Sequence, residues 1–425
     1  MEAADVFTKL GAELKPDPAR TVIRPFGFEY PAAFAASRQP RAVEVVKRVL
    51  ALAPSMRERM LFKLLEAMAP RHRNVEAFFA RRFEEAKETF AGITVKDPGD
   101  WVLIGAYFSQ EFAFESAALF NPSIVALETE GERVRFMLSL RGVGEGHVSS
   151  VTFRTGTWDG GSDLAIDPAS PHGVPPRIES DNEGWVRMRA ADSESLSETV
   201  IFPVLPSQRQ GVEDLRLVRF TEDDGKETVM GTYTAYDGQA ARQELLRGID
   251  ARTYEMRALM GAMAPYKGMA LFPRRIDGRF AMLGRQDNES LWLLYSDDLY
   301  TWENGETLMK PKYPWEIVQI GNCGSPIEID EGWLVFTHGV GMIRGYCIGA
   351  CLLDKDDPSR VLARTPSPLV FPSGEQRGGY VPNVTYSCGA LVRNRRVLLP
   401  YAIGDQYTAF AVGGIDDLLG VMEPA

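Results

Sequence analysis

LRLVRFTEDDGKETVMGTYTAYDG, residues 215–238, alternates apolar and polar side chains to Thr221, breaks at the polar run Glu222–Lys226, then alternates again to Tyr236. Period two on both sides of an Asp-Gly turn predicts a β-hairpin. Four other segments share the plan: IVALETEGERVRFMLSLRG (124–142), MALFPRRIDGRFAMLGRQD (269–287), SPIEIDEGWLVFTHGV (325–340) and ALVRNRRVLLPYAIGD (390–405). Their turns read EGE, DGR, DEG and NRR. After the first, the starts recur at roughly the spacing of propeller blades. Five such hairpins predict a mainly β fold, a five-bladed β-propeller over residues 116–425. A β-sandwich would also supply many short strands, but it would scatter their ends over two sheets. In a propeller, matching strand ends converge on one mouth of a central channel. A Pro-, Ser- and Asp-rich insertion at 156–210 separates the first two hairpins.

Residues 1–115 read as an N-terminal α-helical region. Ala42, Val45, Val46, Val49 and Leu50 recur at helical spacing, as do Leu61, Leu64, Leu65 and Met68, and then Val75, Phe78, Phe79, Phe83, Ala86 and Phe90. Ser55 with Glu58 fits a capping box. Arg71–Arg73, RHR, reads as a solvated helix start. These helices are expected either to make a subunit contact in a homo-oligomer or to help shape a binding site.

The formal net charge of −11 argues against a nucleic-acid partner, which needs clustered Lys and Arg. The cysteines, Cys323, Cys347, Cys351 and Cys388, form no CxxC pair and read as buried free thiols of a reducing compartment. With four histidines in the chain, no metal site is expected. The start MEAADVFTKLGAEL lacks a cationic segment followed by an apolar core, and no apolar run is long enough to cross a bilayer. The chain therefore reads as cytoplasmic, without a membrane partner.

The polar residues at hairpin starts and ends are the candidate site. The starts supply Asn121, Glu213, Asp214, Arg216, Lys267, Ser325 and Asn383; the ends supply Arg141, Tyr236, Asp237, Arg285, His338 and Asp405. Acids and amides suit sugar hydroxyls, an acid can protonate a glycosidic oxygen, and the cations call for an anion such as phosphate. No nucleotide-binding glycine loop, GxSxG or HExxH is present. RGVGEGH (141–147) is glycine-rich but joins two β regions, so it is not a phosphate cradle of the Walker type; His147 shapes that loop or reaches the site's rim.

The motifs ALFNPSIV, GVEDLRL, YTAYDG, ALFPRRIDGRFAML, LWLLYSDDLYTWE, IGNCGSPIEIDEGWLVFTHGV, GACLLDKDDPSRVLARTPSPLVFP and VPNVTYSCGALV occur in the order seen in glycoside hydrolase family 130, which the chain resembles over residues 116–425. The resemblance implies a five-bladed propeller that acts on β-mannosides as an inverting phosphorylase or a β-mannosidase. It implies that Asp214 is the general acid, relaying its proton through a mannose hydroxyl, with Glu213 and Arg216 positioning it. Inorganic phosphate, the co-substrate, would sit on Arg285, His338, Arg242 and Lys267; mannose would meet Asn121, Arg141, Asp237 and Asp405. No other cofactor is implied. Tyr236, Tyr380 and Trp292 could offer stacking faces.

Two positions depart from the family pattern. Gln319 stands where the phosphorylases usually carry lysine, and Gly284 where a histidine is common before the arginine. Loss of one charged contact, about 1.5–3 kcal/mol, would weaken phosphate binding by roughly one to two decades. The alternatives are a hydrolase using Asp287 or Glu289 to activate water, a mannosyltransferase with a sugar-phosphate or sugar-nucleotide donor, or a non-catalytic carbohydrate-binding propeller.

Overall fold

The computed structural model describes residues 5–35, 39–182, 184–250 and 252–425. They divide into two compact units: one of the residues up to Pro18, Phe114–Ala169 and Pro175–Ala425, the other of Ala19–Ala113 and Ser170–Val174. The first unit is β-rich. All five hairpins form: Ala118–Glu130 with Arg133–Val143, Gly211–Thr221 with Glu227–Tyr236, Lys267–Leu271 with Phe280–Arg285, Ile327–Ile329 with Gly332–Val340, and Leu391–Arg393 with Arg396–Ile403. Local chemistry explains them. In the last, Asn394 and Arg395 both take left-handed backbone (φ +48° and +58°), as a two-residue turn matched to strand twist requires.

Each hairpin gains a third antiparallel strand: Ser149–Trp158, Ala241–Gly248, Leu291–Ser296, Tyr346–Leu353 and Tyr407–Gly414, in that order. The insertion is partly strand as well. Arg177–Asn182 and Trp185–Arg189 extend the second group through Thr253–Ala258. The strands fall into separate sheets rather than one closed sheet. Hydrogen bonds link one group to the next: Ser123 Oγ accepts from Leu217 N (2.9 Å), Met269 O from Thr232 Oγ1, Gly268 O from Asn322 Nδ2 (2.6 Å), and Asn383 O from Tyr346 N (2.9 Å). Pro122 O then accepts from Cys388 N (2.8 Å), which connects the fifth group to the first. Apolar faces between groups fill the core, as where Val218, Phe220 and Met230 pack with Met269, Leu271 and Met282. All four cysteines are free thiols, three of them buried.

The N-terminal residues differ from the helical expectation. Phe7–Leu14 is a strand paired antiparallel with Tyr407–Gly414, so this segment belongs to the β unit. It is an outer strand with Leu10 alone fully buried, hence its weak period. The second unit contains the expected helices Arg41–Leu50, Pro54–Met68 and Val75–Ala86, a further helix Pro98–Tyr107, and the strand pair Thr21–Pro25 with Ser109–Ala113. The capping box is absent. Ala53 caps the second helix and Pro54 fills its first turn, where a missing N–H costs nothing, so Ser55 and Glu58 lie inside. The RHR motif is not a solvated helix start either. It follows that helix; His72 is buried with Nε2 2.7 Å from Glu111 Oε1, and Arg71 pairs with the same carboxylate at 2.8 Å.

Candidate active site

Three first strands carry the same device. Asn121, Asp214 and Gly268 have φ of +48°, +54° and +80°, and each sits where the register slips, between Phe120 and Ser123, Glu213 and Arg216, and Lys267 and Ala270. A bulge of this kind bends a strand end and re-aims its side chain. Asn and Asp tolerate the left-handed backbone that it imposes here.

The side chains so aimed meet. Asp214 Oδ1 accepts from Asn121 Nδ2 at 2.6 Å and from Arg141 Nη1 at 3.3 Å. Arg141 also donates to Glu213 Oε1 (2.7 Å) and Ser149 Oγ (2.8 Å), and lies over the Phe120 ring. Arg216 is buried and holds the Asp214 carbonyl, not its carboxylate, at 3.0 Å; its other nitrogens reach Tyr386 Oη (2.7 Å) and Asn322 Oδ1 (3.2 Å). Lys267 Nζ is 3.7 Å from Glu213 Oε2 and lies over the Tyr236 ring. One cavity is lined by Asp214, Arg216, Thr234, Lys267, Gly268, Arg285, Gly321, Asn322, His338 and Tyr386. Asn121 Oδ1 and Arg285 Nε are buried without a hydrogen-bond partner. An acceptor and a cationic donor left unmet inside a protein are costly, and fit a ligand that supplies their partners.

Charge separates the two aspartates. Burial pushes the Asp214 carboxyl up, but Arg141, Arg216, the Asn121 amide and Lys267 outweigh it, so the group lies below its ordinary value. Burial raises Asp405 to about 6, with Asp214 adding to the rise and Arg141 and Arg344 opposing it.

His338 is not a cation. Its Nδ1 is 3.1 Å from the Asn322 carbonyl, which can only accept, so Nδ1 carries the proton. Nε2 is then an acceptor, facing Arg285 Nη1 and the Gln319 amide, each at 3.3 Å. Burial, and then Arg285 and Arg216, hold its pKa well below the ordinary histidine value. Gln319 is buried against this imidazole. At Gly284 an added Cβ would fall 2.3 Å from Gln286 Oε1, so the glutamine fills the space a side chain there would need.

Not every expected residue joins the cavity. Asp237 Oδ1 accepts from the amides of Gln239 and Ala240 (2.7 and 2.8 Å) in a turn, and Arg242 is exposed beside it. Register is the reason. Arg141 stands opposite Phe120, Arg285 opposite Lys267 and His338 opposite Gly321; the residue opposite Glu213 is Thr234, three before Asp237. Alignment of the hairpins on their first strands, not their ends, would have found Thr234. Asp287 likewise caps a turn, accepting from the amides of Glu289 (2.9 Å) and Ser290 (2.7 Å). Tyr380 is half exposed and bonds His147 Nδ1 at 2.8 Å, Trp292 packs on an apolar cluster, and Ser325 lines a different cavity. Asn322 and Tyr386 were missed, since an amide in IGNCG and a tyrosine in VTY carry no signal without the contacts to Arg216. Among the described residues, no group of three or more His, Cys, Asp or Glu is placed to hold a metal, and no helix is long and apolar enough to cross a membrane.

The chain is 36% identical over 159 residues to a 1,2-beta-oligomannan phosphorylase of Thermoanaerobacter sp. (strain X514), covering 37% of this chain and 50% of that one. It thus spans half the length of that relative. It is 33% identical over 224 residues to a beta-1,2-mannobiose phosphorylase of the same organism, covering 52% of this chain and 72% of the relative. The structure superposes on beta-1,2-mannobiose phosphorylase from Listeria innocua with a TM-score of 0.53 at 19% identity, covering 73% of this chain and 92% of that one, a likeness of fold. A family model described as beta-1,4-mannooligosaccharide phosphorylase matches residues 189–424, more than half of the chain, and the protein belongs to glycoside hydrolase family 130.

Proposed function

We propose that this protein is an inverting β-mannoside phosphorylase that converts a manno-oligosaccharide and inorganic phosphate to α-mannose 1-phosphate, with no metal or organic cofactor. One observation carries the reading. The carboxyl group of Asp214 and the guanidinium of Arg285, whose buried Nε has no hydrogen-bond partner, line the same cavity. A group that can relay a proton and a group that can receive an anion, side by side in one cavity, support the reading.

In the proposed reaction a phosphate oxygen forms the new bond to the anomeric carbon. The old C–O bond breaks toward the leaving oxygen, which takes the proton of a mannose hydroxyl. Asp214 reprotonates that hydroxyl, having taken up its own proton from solvent as the bound phosphate dianion offsets the cations Arg141, Arg216 and Lys267 that otherwise keep it ionised. Arg285 and Lys267 hold the phosphate; Asn121, Arg141 and Asp405 hold the sugar. Phosphate arrives ionised and needs no base, whereas an inverting hydrolase needs a second carboxylate to activate water. Of the two candidates for that task, Asp287 is occupied in its turn and Glu289 is exposed and does not line the cavity. Similarity to enzymes named as phosphorylases supports the reading. We further infer that the five strand groups close as a five-bladed propeller. The circuit of hydrogen bonds from group to group supports this, as does a second cavity lined by Val125, Leu217, Pro273, Ile327 and Leu391, one residue from each group's hairpin.

The test is incubation with β-1,2- and β-1,4-mannobiose with and without phosphate. Mannose 1-phosphate formed only with phosphate is expected; free mannose released equally fast without it sinks the proposal. Asp214→Asn should lower kcat by roughly 10²–10⁴-fold, the usual scale for loss of a general acid.

A further inference from the structure

His338 poses a problem for a simple anion site. The imidazole lines the cavity, yet its protonated nitrogen is spent on the Asn322 carbonyl and the nitrogen near Arg285 is a bare acceptor. A lone pair facing a fully deprotonated oxyanion is repulsive. Facing an anion that carries one O–H, it is a hydrogen-bond partner. Monohydrogen phosphate has one such O–H; sulfate, of the same shape and charge, has none.

We propose that His338 is a specificity-determining residue that accepts the O–H of monohydrogen phosphate, so the site selects a protonated tetrahedral dianion and turns its bare oxygens elsewhere. This rests on the assignment of the cavity to phosphate. Arg285 Nη1 and Gln319 Nε2 share the Nε2 lone pair at 3.3 Å, a long contact for either, so a short O–H donor can replace them. Arg285, with its Nε unmet, then turns to the bare oxygens. The arrangement also gives Gln319 a task that lysine at this position would not share: as a neutral donor it holds the empty imidazole in the accepting tautomer and adds no charge beside Arg285 and Arg216.

The experiment measures anion binding to the full chain by calorimetry, with phosphate, arsenate and sulfate, and turnover of mannobiose separately. Arsenate, which keeps an O–H, should bind within severalfold of phosphate. Sulfate should bind roughly 10- to 100-fold more weakly, the scale of a buried acceptor left unmet. His338→Ala should bring phosphate and sulfate within about threefold of each other, the discriminating lone pair being gone. Sulfate within threefold of phosphate in the unaltered protein overturns the inference, as does a tenfold preference that survives His338→Ala. Discrimination without phosphate-dependent turnover would leave the inference standing and refute the phosphorylase reading; phosphorolysis without discrimination would do the reverse. Failure of all three anions to bind overturns both.

Discussion

Replacement of Arg216 by methionine tests how the site is held together. The guanidinium is 2% exposed and is the shared donor for the Asp214 carbonyl, Asn322 Oδ1 and Tyr386 Oη, which come from three different strand groups. Methionine fills similar volume but leaves the Asp214 carbonyl and Tyr386 Oη without this donor and Asn322 Oδ1 with the Gly324 amide alone (3.1 Å), an unmet buried group costing about 1–3 kcal/mol. Removal of the buried charge returns part of that, because burying a cation is itself unfavourable. The balance expected is a loss of about 3–5 kcal/mol, a large share of the roughly 5–15 kcal/mol that keeps a domain folded. Arg216→Lys keeps the charge and can serve one or two acceptors, so it should lose about half as much. Urea unfolding followed by tryptophan fluorescence measures both, with the midpoint falling and the slope unchanged. Asp214, freed at its carbonyl, should also lose its aim, so kcat falls even where the variant is fully folded. A loss below about 1 kcal/mol for methionine, or equal losses for the two variants, would refute the view that Arg216 works through its three hydrogen bonds.

Two further outcomes are expected. Asp405, raised to about 6 from an ordinary 3.8, binds a proton more tightly in the folded chain, so its contribution to stability falls as pH rises from about 4 to about 6. Asp405→Asn should remove that fall and gain about 2–3 kcal/mol at pH 7 in urea titrations, while weakening mannoside binding; no difference between pH 5 and pH 7 would count against it. Gly105 in the helix Pro98–Tyr107 leaves no room for a side chain, since a Cβ there would lie 1.9 Å from the Phe79 carbonyl oxygen. Gly105→Ala should push these two helices apart and destabilise the helical unit by about 1–3 kcal/mol despite alanine's better helix propensity, seen as an earlier loss of helical circular dichroism. A later loss would show that the contact is loose.

Legibility followed distance along the chain. Hairpins such as Gly211–Thr221 with Glu227–Tyr236 could be read because alternation and an Asp-Gly turn are local. Asp214 was found through the GVEDLRL motif, and the bulge that aims it is equally local. The strand Phe7–Leu14 escaped because its partner Tyr407–Gly414 lies at the other end of the chain, and an outer strand has little period of its own. Asp237, at a strand end, lies in a turn outside this cavity, since the pairing register puts Thr234 there instead.

By itself, then, the sequence determined the five hairpins, their turns and the family, and pointed to Asp214 as the candidate acid, because these readings rest on neighbours a few residues apart or on ordered motifs. The tertiary structure decided which of the polar residues share a cavity and what charge each brings to it. Arg216 clamps a carbonyl, His338 is a neutral acceptor, and Asp405 is raised while Asp214 is lowered, because burial and partners from distant strands set a group's protonation. No residue type carries that information before the chain has folded.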